Sequence, residues 1–491
     1  MTFSMRQRLK FLASFALFWI AFQLVIRAIF LLYNYDLTSQ LTPGEIFHAF
    51  RSGLKMDLSL AGYFVMFAAL IVSFSVIVQS RWLYFILNAV SIAGLLMASI
   101  ITMVDLELYR HWGFRTDITP LFYLEGAEEE ALGSVEITVI IKLLLILAEL
   151  FCISLFFYSQ WLMPKPARFG PVPSKKGALL FVLIAALMIV PVRGSLSVAP
   201  MNTGFVYFHK TKNYANHAAI NVLWNFMYSL GKRSQAAYPT DFFDRDYSED
   251  LFKTLYHDAD TSPQLLATRR PNVILIILES FTAGVIEPIG GEKGVTPNLN
   301  KLCGEGILFD NFYASGDRTD KGIVSILSGY PAQPTGSIIK SPARSQRLPF
   351  LNHFMNDLGY ATSFIYGGDL DFANFRSYLT NSNFSHITSQ ENFPDNAPSG
   401  KWGVHDHIVF RQALEECDTA SEPFFKVILS LSSHEPFEVP MDPVFEGTDD
   451  ESKFFNACYY TDRSLGEFVR NARTSSWWEN TAILLVADHG H

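Results

Sequence analysis

Pro271-Asn-Val-Ile-Leu-Ile-Ile-Leu-Glu-Ser280 is the stretch that decides the fold. Six apolar residues, Val273 to Leu278, run without a break and stop at an acid. A strand with one wet face alternates. An unbroken run of β-branched residues and leucine reads as a strand covered on both faces, as in a parallel sheet with helices on either side. The same grammar returns downstream. Ala361–Tyr366 ends in Gly367-Gly-Asp369, Phe424–Leu431 ends in Ser432-Ser-His434, and Thr481–Ala487 runs into Asp488-His489-Gly490. Ile307–Tyr313 is predicted as a further strand. Helical patterns lie between these runs: one capped by Thr296 with Pro297 at its first position, one beginning Ile323-Val-Ser-Ile-Leu, one near Asn352–Leu358, and one over His407–Glu416. Alternating strands and helices indicate a doubly wound α/β sheet.

In such sheets ligands bind at the carboxyl ends of the strands. The polar residues there are Glu279, Asp369, His434, Asp488 and His489. Thr319 joins them from Ser315-Gly-Asp-Arg-Thr-Asp-Lys-Gly322, which follows one predicted strand and precedes a helix. Thr319 is expected to cap that helix, where first-turn N–H groups can seat an anion such as a phosphate. Two carboxylates, one imidazole and one hydroxyl on a single sheet edge form an O/O/O/N set suited to a divalent cation. With the hydroxyl over a helix N-terminus, the set has the makings of a metal-activated nucleophile for phosphoryl chemistry.

The other half of the chain is different in kind. Hydrophobic residues make up 49% of the 491 residues and phenylalanine alone occurs 43 times, with the excess before residue 200. Five apolar runs, at about 11–33, 57–79, 82–104, 137–163 and 177–192, are long enough or nearly so to span a bilayer. The first has a basic lead (Arg6, Arg8, Lys10), but it is too long for a signal peptide core and no cleavage site follows. Basic residues also mark Arg81 in the second loop and Lys165, Arg168, Lys175 and Lys176 in the fourth. The third loop is acidic, with Asp105, Glu107, Glu125, Glu128, Glu129, Glu130 and Glu136. By the positive-inside rule the N-terminus is cytoplasmic and everything after about residue 193 lies outside. Arg27, Lys142 and Glu149 fall within the apolar runs. They are read as snorkelling or pairing within the bundle, with a polar path for lipid headgroups as the sharper alternative. Domain boundaries are expected at 1–197 (membrane domain), 198–270 (extracytoplasmic linker) and 271–491 (α/β domain). Within the linker, His217–Met227 is predicted as one amphipathic helix, lying on the bilayer or packed on the next domain.

Several classes are excluded or disfavoured. A net charge of −9 offers nothing to nucleic acid. The four cysteines have no metal spacing, and with Cys152 in an apolar run at most one disulfide could join Cys303, Cys417 and Cys458. His405-Asp-His407 is read as a helix cap, Asp406, flanked by surface histidines rather than as a second metal site.

Leu278-Glu-Ser280, Thr296-Pro-Asn-Leu299, the Thr319 element, Gly368-Asp369 with Arg376, His434 and Asp488-His489-Gly490 occur in that order after five apolar helices. In this the chain resembles the lipoteichoic acid synthase and phosphoglycerol transferase family of the alkaline phosphatase and sulfatase superfamily. The resemblance implies an N-terminal bundle of five transmembrane helices followed by an α/β alkaline-phosphatase-like (sulfatase-like) domain with a mostly parallel central sheet. It implies that Glu279, Thr319, Asp488 and His489 bind one cation, Mn²⁺ or Mg²⁺, with Zn²⁺ as the alternative. Thr319 would take phosphoglycerol from phosphatidylglycerol, hold it as a phosphothreonine ester and pass it to an envelope glycan or glycolipid. Asp369, Arg376 and His434 would grip the substrate. The setting would be a multi-pass protein of the cell (inner) membrane with its catalytic domain periplasmic or extracellular.

Two departures stand out: the Gram-positive enzymes carry a His at about Gly367 and a Trp at about Asn374. Family members also continue past the metal motif, so the domain is expected to be incomplete at His491. The alternatives are a phosphoethanolamine transferase acting on lipid A or a glycan, and a non-catalytic metal-binding envelope sensor. A formylglycine sulfatase is disfavoured because Thr stands in place of its Cys.

Overall fold

A computed structural model describes residues 5–78, 80–124, 137–163, 174–196, 199–232, 243–255, 264–333 and 336–491. The chain forms two compact units, Met1–Arg233 and Ser234–His491. In the first, five helical stretches are long and apolar enough to cross a membrane: Met5–Tyr33 (α1), Pro43–Ile77 (α2), Arg81–Trp112 (α3), Ile137–Leu162, whose α-helical part is Ile137–Phe157 (α4), and Lys175–Arg193, which opens with Lys175–Leu187 (α5). Three of the five begin or end well beyond the apolar runs that announce them, because local chemistry extends the helices. α2 starts at a capping box in which Thr42 and Glu45 satisfy each other's backbone N–H groups, with Pro43 at the first position. α3 runs on to Gly113, which closes it in the left-handed conformation. Asp105 and Glu107, expected in an acidic loop, therefore lie inside α3. Glu125, Glu128, Glu129, Glu130, Glu136, Lys165 and Arg168 lie outside the described residues.

The predicted helix over His217–Met227 is two helices, Asn213–Ala219 (α6) and Val222–Leu230 (α7), and both pack inside the membrane unit. The reason for the break is the fate of four carbonyls. Arg27 donates to the carbonyls of Ala218 and Ala219, both at 3.0 Å, while its guanidinium forks onto Asp57 at 2.7 and 3.1 Å. Arg115 donates to the carbonyls of His217 at 3.2 Å and Ile220 at 3.1 Å and pairs with Asp105 at 2.8 Å. A helix end leaves its last carbonyls without partners, and here two buried arginines supply them. Asn221 then restarts the helix by accepting from Trp224 N, and its amide donates to Asp57. Arg27 is thus a paired group. Lys142 lies 4.1 Å from the centre of the Tyr33 ring, and Glu149 is exposed.

The second unit is built on a parallel five-stranded sheet of order β3-β2-β6-β1-β7. Its strands are Asn272–Leu278 (β1), Ala361–Tyr366 (β2), His386–Thr388 (β3), Phe424–Leu429 (β6) and Thr481–Ala487 (β7). A small antiparallel pair, Ser399–Gly400 (β4) and Gly403–Val404 (β5), sits between β3 and β6 in the chain. Side-chain alternation sorts β1 onto two cores. Ile274, Ile276 and Leu278 pack with Asp406–Asp418 (α10) and Asp450–Ala472 (α11). Leu275 and Ile277 pack with Ile323, Val324 and Leu327 of Thr319–Ser328 (α9). Pro297–Glu305 (α8) starts where Thr296 was expected to cap, but that hydroxyl donates to the Val285 carbonyl instead.

Two further expectations are corrected here. Ile307–Tyr313 is not a strand, and Ile307, Phe309, Phe312 and Tyr313 are exposed. A β-prone composition becomes a strand only by pairing, and no strand pairs with it among the described residues. Thr319 is the first residue of α9 rather than its cap, a position taken by Arg318. The cysteines are free.

Removing Arg27 strands both Asp57 and two helix-end carbonyls. Arg27→Ala is expected to cost about 3–5 kcal/mol, seen as a lower thermal midpoint of the detergent-solubilised protein. Adding Asp57→Leu should recover only part of the loss, since Ala218 and Ala219 still lack donors.

Candidate active site

The site follows from register. β1 and β7 are parallel, with Leu278 opposite Ala487, so the next residues, Glu279 and Asp488, emerge side by side. Alternation continues past the last apolar residue and sends Glu279 to the face covered by α9. The N-terminus of α9 meets it there. Thr319 Oγ1 donates to Glu279 Oε2 at 3.0 Å and lies 3.4 Å from His489 Nε2. His489 Nε2 is in turn 3.5 Å from both Glu279 Oε1 and Asp488 Oδ2. One ligand atom from each of Glu279, Asp488 and His489 lies within 4.8 Å of the others, and all three residues are buried. Of the seven site residues expected from the sequence, the four named as metal ligands converge.

A shell of hydrogen bonds fixes this cluster. The N–H of Glu279 donates to Ser430 Oγ at 2.9 Å, and Ser433 Oγ donates to the Glu279 carbonyl at 2.6 Å. Ser280 donates its N–H to Asp488 Oδ1 at 2.9 Å and its hydroxyl to Glu279 Oε1 at 2.8 Å. His489 Nδ1 donates to the Gly490 carbonyl at 2.8 Å, leaving Nε2 as the atom turned to the cluster. Gly322 holds α9 against β7: a Cβ there would come within 2.2 Å of the Asp488 carbonyl oxygen.

The electrostatics are those of a crowded acid pair. Burial and then the charge of Glu279 push the Asp488 carboxyl up to about 8. Burial works against the charged form of Glu279 too. There the His489 hydrogen bond, the charges of His434 and His489, and the Ser280 hydroxyl outweigh it and hold the group below its ordinary range. Burial would lower His489, but Glu279 and Asp488 raise it to about 9. Asp488 Oδ2 is buried and has no hydrogen-bond partner among the described residues. An orphaned carboxylate oxygen facing an imidazole, a second carboxylate and a hydroxyl is the donor set a divalent cation would complete.

The three expected substrate residues are placed differently. His434 lies close enough for its charge to act on Glu279. Its ring is 4.7 Å from that of Trp402, and its Nδ1 donates to the Glu435 carbonyl. Asp369 accepts from Asp371 N and shapes the turn after β2. The guanidinium of Arg376 is engaged by Asp371 at 2.6 Å and by Glu391. Asp406 does not cap α10. It is fully buried and accepts from the N–H groups of Leu431 and Ser432 and from Thr461, fixing the end of β6. His407 Nδ1 is bonded to Tyr460, and His405, expected at the surface, is buried.

The two departures from the Gram-positive pattern have local causes. A Cβ at Gly367 would sit 2.4 Å from the Val404 carbonyl oxygen, so no imidazole fits there. Asn374 is buried at a φ of +69°, a conformation Asn tolerates far better than Trp. Trp402, from the β4–β5 turn, supplies the aromatic ring beside His434 instead. Neither Trp402 nor Tyr366, whose buried phenol feels Glu279, Asp369, Asp488 and Asp406, was marked by its sequence context.

Residues 271–491 match the Sulfatase family. They form a sulfatase-like α/β domain. The chain is 27% identical over 244 residues to phosphoglycerol transferase I of Xanthomonas campestris pv. campestris, covering 46% of this chain and 35% of that protein. It is 23% identical over 258 residues to lipoteichoic acid synthase 1 of Bacillus subtilis, covering 49% and 40%. The chain thus spans well under half the length of these relatives. An alkaline phosphatase superfamily protein from Vibrio parahaemolyticus is 29% identical, with a TM-score of 0.46 over 50% of this chain and 64% of that one.

Within this sulfatase-like domain, Gly322→Ala is expected to push α9 off Asp488 at a cost of about 1–3 kcal/mol. Thermal denaturation checks it, and an unchanged midpoint would show that α9 can shift freely.

Proposed function

We propose that the protein is a membrane phosphotransferase that moves phosphoglycerol from phosphatidylglycerol to an envelope glycan or glycolipid, with Thr319 as nucleophile. The observation that carries this reading is the Thr319 hydroxyl, 3.0 Å from Glu279 Oε2, at the head of α9 and beside the orphaned oxygen of Asp488. Glu279, Thr319, Asp488 and His489 would hold one divalent cation, Mn²⁺ or Mg²⁺. When bound, it would lower the hydroxyl's pKa and offset charge on a phosphoryl group.

The remaining chemistry belongs to the chain. Thr319 Oγ1 directs its proton at Glu279 Oε2 and so presents a lone pair away from the carboxylate. The first-turn N–H groups of α9 favour a phosphate in front of it. A Thr319 Oγ–P bond forms as the P–O bond to diacylglycerol breaks; the Thr319 proton passes to Glu279 Oε2 and from there, in net balance, to the departing diacylglycerol oxygen. An acceptor hydroxyl then attacks the same phosphorus from the opposite side and releases Thr319 with its proton restored. His434, whose ring lies 4.7 Å from that of Trp402, is assigned to contact the glycerol phosphate. Asp369 and Arg376 are assigned to shaping the loop that faces the headgroup, since Arg376 is already paired. The similarity to a phosphoglycerol transferase and a lipoteichoic acid synthase supports this donor class. Arg6, Arg8 and Lys10 in the first turns of α1, together with five crossings, support a cytoplasmic N-terminus and an extracytoplasmic domain.

Diacylglycerol release from labelled phosphatidylglycerol, with Mn²⁺, Mg²⁺ or chelator, tests the reading. Release should be metal-dependent and fall at least ~10³-fold in Thr319→Ala, and label should be trapped on Thr319 when acceptor is withheld. Release from phosphatidylethanolamine alone would replace the donor. Metal binding without release from either lipid would make the domain a sensor.

A further inference from the structure

Glu279 and Asp488 are like charges set side by side in a buried site, and Ser280 bridges them. Its N–H holds Asp488 Oδ1 at 2.9 Å and its hydroxyl holds Glu279 Oε1 at 2.8 Å. It does so at a φ of +59°, in the left-handed region that favours glycine. Glycine would take that backbone without strain, yet a buried serine stands there, and its hydroxyl is spent on a carboxylate. Asp488 Oδ1 receives a second donor, the N–H of His489 at 2.8 Å. What remains is one oxygen from each acid: Glu279 Oε2, which faces Thr319, and Asp488 Oδ2, which has no hydrogen-bond partner among the described residues and lies 3.5 Å from His489 Nε2.

We infer that Ser280 is a positioning residue that occupies one oxygen of each carboxylate, so that Glu279 and Asp488 each offer a cation a single oxygen. The inference rests on the metal reading proposed above and goes beyond it, because it makes Ser280 a determinant of which cation is accepted. Ca²⁺ takes six to eight oxygens and readily uses both oxygens of one carboxylate. Mg²⁺ and similarly small ions accept fewer ligands and stricter geometry. With Thr319 and His489 adding one atom each, the single-oxygen arrangement favours the smaller ion. Loss of the hydroxyl frees Glu279 Oε1 and relaxes that preference.

The test is to measure Mn²⁺ and Ca²⁺ affinity of the full chain in detergent by calorimetry, with the Mn²⁺ spectrum read by electron paramagnetic resonance. Wild type is compared with Ser280→Gly, which keeps the backbone conformation, and with Ser280→Ala, which removes the same hydroxyl from a residue that does not relax the backbone. The preference for Mn²⁺ over Ca²⁺ should fall about tenfold or more in both variants, with an altered Mn²⁺ spectrum. An unchanged preference in Ser280→Gly overturns the inference, even if Ser280→Ala does not fold. A change in Ser280→Gly alone, with Ser280→Ala folded and like wild type, also overturns it by assigning the effect to backbone freedom. Wild type that binds neither ion would overturn the metal reading itself, a result distinct from either variant outcome.

Discussion

The chemistry of the second unit hangs on the pairing that sets Leu278 of β1 opposite Ala487 of β7. A parallel ladder fixes both the neighbours and the faces of the residues that follow it. One step on come Glu279 and Asp488, which emerge side by side. A slip of one residue in either strand would send one acid to the α10–α11 side and leave the other alone with Thr319. Gly322 then sets the third coordinate, because only a residue without a Cβ lets the head of α9 rest on the Asp488 backbone. Position comes from the ladder, and reach comes from a missing side chain.

Both units meet a shared difficulty, which is what to do with polar groups where regular structure stops inside a protected interior. In the membrane unit the carbonyls of residues 217–220 are met by Arg27 and Arg115, each balanced by an aspartate from a neighbouring helix. In the α/β unit the ends of β1 and β6 are met by Ser430, Ser433 and Asp406. Charged pairs suit the first setting, because both arginines are buried and a lone buried guanidinium would be costly. Neutral hydroxyls suit the end of β1, because an additional charge beside Glu279 and Asp488 would compete with whatever the acids are there to bind.

β1 was readable because it is covered on both faces, which leaves an uninterrupted apolar run that stops where the polar end begins, and β7 carries the same kind of run. The short β3, His386–Thr388, has no such signature and was not read as a strand. For that reason Glu279, Asp488 and His489 could be named from adjacency alone, and Thr319 from the helix behind it. Ser280, Ser430 and Ser433 could not be weighed in that way. Their partners are set by register between distant segments, and a serine near a strand end looks like any turn residue. The break at Ile220-Asn221 was hidden for a similar reason, since its cause is two arginines contributed from elsewhere in the chain. Ile307–Tyr313 misled in the opposite sense. Its composition suits a strand, but membership in a sheet is a property of partners. The length of the membrane helices was under-read because caps such as Thr42 and Gly113 extend helical structure into polar sequence.

β7 has one further consequence. It lies against β1 in the parallel sheet. It carries Asp488 and His489, while Glu279 sits at the end of β1. A cation shared among the three would cross-link the two strand ends, so that occupancy of the site and closure of that end of the sheet become a single equilibrium. The same ion that readies a hydroxyl for chemistry would then serve as a rivet, and its departure would loosen the strand that delivered half of its ligands.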